Sequence, residues 1–162
     1  MSTQNVKELL KEAGENSVLV QLYHRTKQMG WNVYKNVSEP GCDIVLLRTN
    51  IGSYDIDKHN ILKIEVKTRQ LIQPEKKKNW IDFTLTENEF QNSHFLIGYW
   101  FDENEYFIVP IKDLTEYKSK KKLVYKYIVS RTQLADPDSD CQKHKGNWKT
   151  ILDEMRKTWN DQ

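Results

Sequence analysis

The chain has 162 residues, of which 38% are hydrophobic and 11% aromatic, and its 25 Lys and Arg stand against 23 Asp and Glu. This length favours one compact domain, and the aromatic content excludes an intrinsically disordered chain. We therefore expect a single domain over residues 1–162, with a core at about 6–114 and a C-terminal strand and helix extension at 115–162.

The cysteine count and the hydropathy of the chain point to its cellular setting. Two cysteines, Cys42 and Cys141, do not make a disulfide framework, and the polar N-terminus does not resemble a signal peptide. No apolar run approaches the roughly 18 residues that a membrane-spanning helix needs. These features predict a cytoplasmic protein that does not contact a membrane.

The first part of the chain predicts a helical segment followed by three strands. Apolar residues recur at helical spacing from Val6 to Met29. We expect Gly14 to divide this segment into two helices and Gly30 to end the second one. The pattern then changes to that of strands at residues 31–37, 43–48 and 61–67.

The second part predicts a strand at 80–85 and then a short helix, because Thr86 and Glu89 have the spacing of a capping box. Further strands are expected at 94–101, 106–109 and 123–129. Trp148, Ile151, Leu152, Met155 and Trp159 lie on one face of an expected closing helix. The order of these elements predicts a mixed α/β domain in which helices flank a mixed central sheet.

A tripeptide of an acidic residue, any residue and Lys is the first candidate for chemistry. It occurs at Glu65–Lys67, Glu75–Lys77 and Glu116–Lys118. Chance alone gives about three such tripeptides in this composition, so the spacing by itself identifies nothing. Only Glu65 and Lys67 fall within a strong strand pattern, which places both side chains on one face of the strand.

A hairpin between two of the expected strands would bring Asp43 to this tripeptide. If Arg48 pairs with Leu62, Asp43 lies opposite Lys67, whereas a shift of one residue would turn Asp43 to the other face. Two carboxylates suit Mg²⁺, and a nearby ammonium can neutralise the charge that develops on a phosphodiester. The alternative is that Glu65 and Lys67 form only the solvated face of an amphipathic strand.

Two stretches resemble a known family. Gly41-Cys-Asp43-Ile-Val and Ile64-Glu-Val-Lys-Thr68 resemble the core of the PD-(D/E)XK, or restriction-endonuclease-like, nuclease superfamily. The segment from Phe83 to Phe90, followed by Phe95-Leu-Ile-Gly-Tyr-Trp, resembles its "No Vein" C-terminal-type branch. The resemblance covers about residues 6–114 and implies a restriction-endonuclease-like αβββαβ core.

The resemblance also implies a function. It implies a metal-dependent endonuclease that hydrolyses phosphodiester bonds of DNA, in defence against foreign DNA or in repair. A catalytically weak or inactive module that binds nucleic acid or a protein partner is the alternative, and an RNA-directed nuclease is a further one. A nuclease of this size suggests a homodimer or a protein partner for cutting both strands.

The same resemblance assigns roles to individual residues. It makes Asp43 and Glu65 ligands of Mg²⁺, for which Mn²⁺ can substitute, and Lys67 the catalytic lysine. The main-chain carbonyl of Val66 is a further expected ligand.

Many members of the family also carry a metal-binding Glu on the first core helix. We place that position at Ser17, and this departure leaves Glu15, two residues earlier, as the candidate. A second metal site is therefore in doubt.

Basic residues near the tripeptide are candidates for contact with nucleic acid. They are Arg69, which follows it with the uncharged Gln70 as a further candidate, and Lys76, Lys77 and Lys78 in a basic loop. The alternative is an ordinary solvated surface. The near-neutral total charge hides this clustering, since Lys58–Lys78 holds seven Lys and Arg against two acidic residues. Phosphate contact depends on local rather than total charge, so the sum does not exclude nucleic acid.

Overall fold

The computed structural model describes residues 3–37, 41–48, 60–71, 79–119 and 122–160. Its helices are α1 (Thr3–Thr26), α2 (Glu87–Asn92), α3 (Arg131–Ala135) and α4 (Lys149–Asn160). Its strands are β1 (Trp31–Lys35), β2 (Ile44–Arg48), β3 (Ile61–Arg69), β4 (Trp80–Thr86), β5 (Phe95–Trp100), β6 (Glu105–Pro110), β7 (Thr115–Ser119) and β8 (Lys122–Ser130). None of the helices in these ranges is long and apolar enough to cross a membrane.

The central sheet has five strands in the order β1-β2-β3-β5-β6. The pairing of β3 with β5 is parallel, and the other neighbours are antiparallel. The parallel pair requires a crossover, which α2 supplies together with β4. The predicted mixed α/β fold with a mixed central sheet and flanking helices is confirmed.

A second, antiparallel sheet with the order β4-β8-β7 was not predicted. The sequence correctly places a strand at β4, but that strand leaves the central sheet and pairs along its whole length with β8. Strand β7 and helix α3 were also missed. Helix α3 begins at a capping box in which Ser130 and Gln133 exchange hydrogen bonds.

The expectation that Gly14 divides the first helix is wrong, since α1 is continuous from Thr3 to Thr26. Gly14 lies where α1 approaches β3 most closely. A Cβ atom at this position would stand 1.6 Å from Oγ1 of Thr68. Glycine is therefore present here for close packing. Gly30, with φ of +68°, ends the turn after the helix and not the helix itself.

The predicted register of the β2–β3 hairpin is also wrong, by two residues. Leu46 pairs with Leu62 and Ile44 with Ile64, whereas the prediction paired Arg48 with Leu62. A shift of two residues leaves every side chain on its predicted face, because the strand repeats every two residues. The apolar pattern alone therefore cannot distinguish the two registers.

Two apolar cores form on opposite sides of the central sheet. One lies under α1 and α4 and includes Val18, Leu22, Ile44, Ile64, Ile151 and Met155. The other lies between the two sheets and includes Phe83, Leu85, Leu96, Trp100, Phe107 and Val129. Strand β5 is buried along its whole length because it contributes to both cores.

Candidate active site

Asp43 is fixed at the point where β2 begins. Its main-chain N donates to the carbonyl of Ile64 at 2.9 Å, and its own carbonyl accepts from the N of Asn36 at 2.8 Å. Its side-chain Oδ2 accepts a hydrogen bond of 2.8 Å from the main-chain N of Val66. The carboxylate is thus held against β3 beside the tripeptide 65–67.

The turn before Asp43 is packed against α2. Gly41 has φ of +121°, and a Cβ atom there would stand 2.8 Å from Cβ of Asn92. The Ser93 hydroxyl donates to the carbonyl of Gly41 at 2.9 Å. Glycine is required here both by the left-handed conformation and by the close approach of α2.

Glu65 and Lys67 lie on the same face of β3, as the strand period predicted. Lys67 Nζ donates to Glu65 Oε1 at 2.5 Å, and only 3% of Glu65 is exposed. Asp43, Glu65 and Lys67 therefore meet at one end of the hairpin in spite of the register error. Their catalytic and metal-binding roles stay predictions.

Glu89 joins this group and was missed as a site residue. The predicted capping box of Thr86 and Glu89 is confirmed. Glu89 Oε2 accepts from the main-chain N of Thr86 at 2.7 Å, while its Oε1 accepts from Lys67 Nζ at 2.8 Å. The sequence shows the capping role, but nothing in it shows that α2 begins beside Lys67.

The electrostatics of the site favour an added positive charge. Burial raises the pKa of Glu65 to about 8, with Asp43 adding to the shift and Lys67 opposing it. Burial also raises the pKa of Asp43, although its hydrogen bond from Val66 opposes this. Burial disfavours charged Lys67, but Glu65 and Glu89 more than offset this and raise its pKa. The two carboxylates are therefore not fully compensated by Lys67.

Glu15 of α1 approaches the site through lysines. It is buried, with 5% exposed, and it pairs with Lys35 at 2.9 Å and with Lys11 at 3.4 Å. Lys11 also lies 3.8 Å from Asp43 Oδ1. Ser17, where we placed the helix position of the family, bonds through Oγ to the Tyr106 hydroxyl at 2.5 Å and does not line the cavity over the carboxylates. Lys11 is a second site residue that the sequence analysis missed.

The donor set of the site fits Mg²⁺ and does not fit a closed metal cage. Asp43 and Glu65 supply carboxylate oxygens. Val66, whose main-chain carbonyl is the further expected ligand, is the middle residue of the tripeptide. Within the described ranges, no three His, Cys, Asp or Glu residues are grouped to hold a metal ion. Mg²⁺ is usually held by one or two carboxylates and completes its shell with water and substrate phosphates, so a two-carboxylate site suits it.

Two of the predicted nucleic-acid contacts lie beside the site. Arg69 Nε donates to the carbonyl of Asp82 at 2.9 Å and Nη1 to that of Thr68 at 3.0 Å. Burial lowers the pKa of Arg69. Gln70 follows at the end of β3. The predictions for Lys76, Lys77 and Lys78 fall outside the described residues.

A cavity of about 500 Å³ opens over the carboxylates. Asp43, Glu65, Glu89 and Lys11 line it, and the other lining residues are Asn36, Val37, Gly41, Cys42, Thr86 and Asn88. The acidic groups thus face a space that a substrate can enter.

Comparison with known proteins relates this fold to nucleases. No protein-family model and no curated protein matches the chain. The fold is similar to that of a bacterial homing endonuclease, I-Ssp6803I, with a TM-score of 0.61 and 15% identity over 99% of both chains. The Holliday junction resolvase Hjc of the archaeal hyperthermophile Archaeoglobus fulgidus gives a TM-score of 0.45 and 15% identity, over 75% of this chain and 84% of that chain. The chain therefore shares its fold with a homing endonuclease, while the "No Vein" resemblance stays a prediction.

Proposed function

We propose that this protein is a metal-dependent endonuclease that hydrolyses phosphodiester bonds of DNA. The observation that carries the proposal is the meeting of Asp43, Glu65 and Lys67 at one end of a hairpin. The fold shared with a homing endonuclease supports the choice of DNA as the substrate. A PD-(D/E)XK type of site is part of the proposal.

Asp43 and Glu65 would hold Mg²⁺, or Mn²⁺ in its place, with the main-chain carbonyl of Val66 as a further ligand. When bound, the metal ion polarises a phosphodiester and lowers the pKa of a coordinated water. Lys67 lies between two carboxylates, which keep it charged and hold its Nζ beside Glu65. We assign it the stabilisation of negative charge that develops on the phosphate. Glu15 would act on the site through Lys11, which lies near both Glu15 and Asp43.

A nuclease-fold module that binds nucleic acid or a protein partner is the second candidate. The state of Glu15 favours it, because the carboxylate on the first helix is already paired with Lys35 and Lys11. The placement of Glu65 opposes it, because this carboxylate is buried beside Asp43 and Lys67 at the wall of an open cavity, and burying neighbouring acids is costly.

The deciding experiment incubates the purified protein with supercoiled plasmid, duplex DNA, single-stranded DNA and RNA in Mg²⁺, Mn²⁺ or EDTA. We expect cleavage of DNA that requires the metal and is lost in Asp43→Asn, Glu65→Gln and Lys67→Met. Cleavage of RNA alone would identify an RNA-directed nuclease. Binding with no cleavage in either metal would favour the second candidate.

The chain offers a matched control for these variants. Glu116 and Lys118 form the same acidic-x-Lys tripeptide on β7, and neither lines the candidate active site. Glu116→Gln and Lys118→Met should cleave as the wild type does. Equal activity in wild type and Asp43→Asn would refute the assignment of the site.

A further inference from the structure

A second cavity adjoins the candidate active site. It has a volume of about 650 Å³ and shares Lys11, Thr86 and Glu89 with the cavity over the carboxylates. Its walls come from the first turns of α1, the end of β3, and the edge of the second sheet formed by β4 and β8. We call it the basic cleft.

The charge of the basic cleft is strongly positive. Among the described residues, five cationic side chains line it, against one carboxylate, that of Glu89. The cations are Lys7, Lys11, Lys67, Arg69 and Lys122. Such an excess in one groove contrasts with the near-neutral total charge of the chain, and it is the electrostatic footprint of a polyanion site.

The cations differ in how far the protein itself compensates them. Lys67 and Lys11 contact the carboxylates of the candidate active site. Arg69 donates to main-chain carbonyls, which do not neutralise its charge. Lys7 is exposed and forms no ion pair with any residue in the described part of the chain. No ion pair between described residues therefore neutralises the positive charges of Lys7 and Arg69.

The remaining lining suits a sugar–phosphate chain. Gln70, Thr84 and Thr86 supply uncharged hydrogen-bonding groups. The Thr68 hydroxyl is excluded from this set, because it is buried against Gly14 of α1. Hydroxyls, amides and lysines together are the groups that proteins use on phosphate and sugar oxygens.

We infer that the basic cleft binds the backbone of the substrate DNA next to the cleaved bond, with Lys7 and Lys122 contacting its phosphates. This inference rests on the proposed function. The DNA strand that is cleaved at the carboxylates would continue into the adjoining cleft. It also gives the second sheet a function, because β4 and β8 form the wall opposite α1. That wall includes residues beyond 114, where the family resemblance ends.

The test measures equilibrium binding of duplex DNA in EDTA, so that cleavage does not interfere, for wild type, Lys7→Ala, Lys122→Ala and the double variant. Titrations run between about 50 and 200 mM salt. We expect each substitution to weaken binding equally for unrelated DNA sequences. Each should also reduce the slope of log affinity against log salt by about one.

Matched controls remove the same charge elsewhere. Lys149→Ala and Lys157→Ala lie on α4, outside both cavities, and should retain the wild-type slope. Thermal unfolding of every variant shows whether the fold is intact.

Two results overturn the inference, and they differ in what they say of the proposed function. If Lys7→Ala and Lys122→Ala keep the wild-type slope while Asp43-dependent cleavage persists, the cleft does not hold the backbone and the endonuclease assignment stands. If the wild type neither binds nor cleaves DNA, both proposals fail. We expect Asp43→Asn to keep the wild-type salt dependence of DNA affinity and to lose cleavage. That result would show that the basic cleft binds DNA without the help of Asp43.

Discussion

Lys67 Nζ lies 2.8 Å from Oε1 of Glu89, and the other oxygen of that carboxylate caps the helix that follows β4. The capping box therefore does two things. It satisfies the first free N–H groups of α2, and it sets the position of a carboxylate that holds the ammonium of Lys67. The start of α2 and the candidate catalytic lysine are linked through one side chain.

Glu89→Gln should lower DNA cleavage by about 10- to 100-fold, the cost typical of losing a group that orients a catalytic residue. The amide removes a negative charge beside Lys67, so the lysine loses one of its two holding contacts. DNA affinity in EDTA should not fall, because the substitution removes a negative charge from the basic cleft. Measurement of kcat and KM separately checks this, because a positioning role lowers kcat with little effect on KM.

Glu87→Gln is the control for the Glu89 prediction. Glu87 lies in the same first turn of α2, and its side chain accepts a hydrogen bond from Gln91. The DNA cleavage activity of Glu87→Gln should equal that of the wild type. If Glu89→Gln cleaves as fast as Glu87→Gln, Lys67 does not depend on Glu89 for its position.

Mg²⁺ should stabilise the folded protein even without DNA. A ligand that binds only the folded state at 100 times its Kd adds about 2.7 kcal/mol, which is a Tm increase of roughly 5–10 °C for a domain of this size. Asp43→Asn should abolish the increase and EDTA should reverse it. Calorimetry or circular dichroism with and without the ion measures this, and Glu116→Gln should respond as the wild type does. An equal increase in Asp43→Asn would place the ion elsewhere.

The sequence could predict on which face of the sheet each site residue lies, but not the register in which the two strands pair. Side chains alternate strictly, so the acidic-x-Lys spacing fixes Glu65 and Lys67 on one face whatever the pairing. Asp43 reaches the same site under either register because the two differ by an even number of residues. Only a packed structure distinguishes them.

Other parts of the site and fold depend on contacts between distant segments. Glu89 and Lys11 reach the site because α2 and α1 pack beside β3, and no local pattern encodes that packing. No local pattern shows which sheet β4 joins either, since a strand with one buried face fits either sheet. The contact between Phe83 and Gly98 of β5 fixes β4 above the central sheet and not in it. A Cβ at Gly98 would stand 2.7 Å from the Phe83 ring, so only glycine allows this packing.

Gly14→Ala should destabilise the protein by about 1–3 kcal/mol, the range typical of overpacking. Intrinsic helix propensity alone would give a gain of roughly 1 kcal/mol, so the sign of the change tests the structure. The added Cβ would meet the Thr68 side chain and push α1 away from β3. Denaturant unfolding measures the free energy of unfolding.

Two variants sharpen the test of Gly14. Asn16→Ala, on the exposed side of the same helix, should be neutral or stabilising. Adding Thr68→Ala to Gly14→Ala should recover part of the loss, because Oγ1 is the nearest atom to the added Cβ. A stabilised Gly14→Ala would mean that α1 does not approach β3 as closely as described.

His144 should make the protein less stable in acid. It is 5% exposed, and its Nδ1 lies 3.2 Å from the carbonyl of Ile108. Burial lowers its pKa below the ordinary 6.5, with Lys143 adding to the shift and Asp113, Asp140 and the Ile108 carbonyl opposing it. The Tyr127 ring packs edge-on against the imidazole at a centroid distance of 5.4 Å.

The direction of the pH effect follows from which state takes up the proton first. In the unfolded chain the imidazole is protonated near pH 6.5, whereas in the folded protein it stays neutral to a lower pH. The free energy of unfolding should therefore fall as the pH drops below about 6.5, until the folded imidazole is protonated as well. His144→Gln should reduce this fall between pH 7.5 and 5.5, measured by denaturant unfolding, while His24→Gln on the exposed surface of α1 should leave it unchanged. Equal pH dependence in wild type and His144→Gln would show that His144 is not held neutral by its buried position.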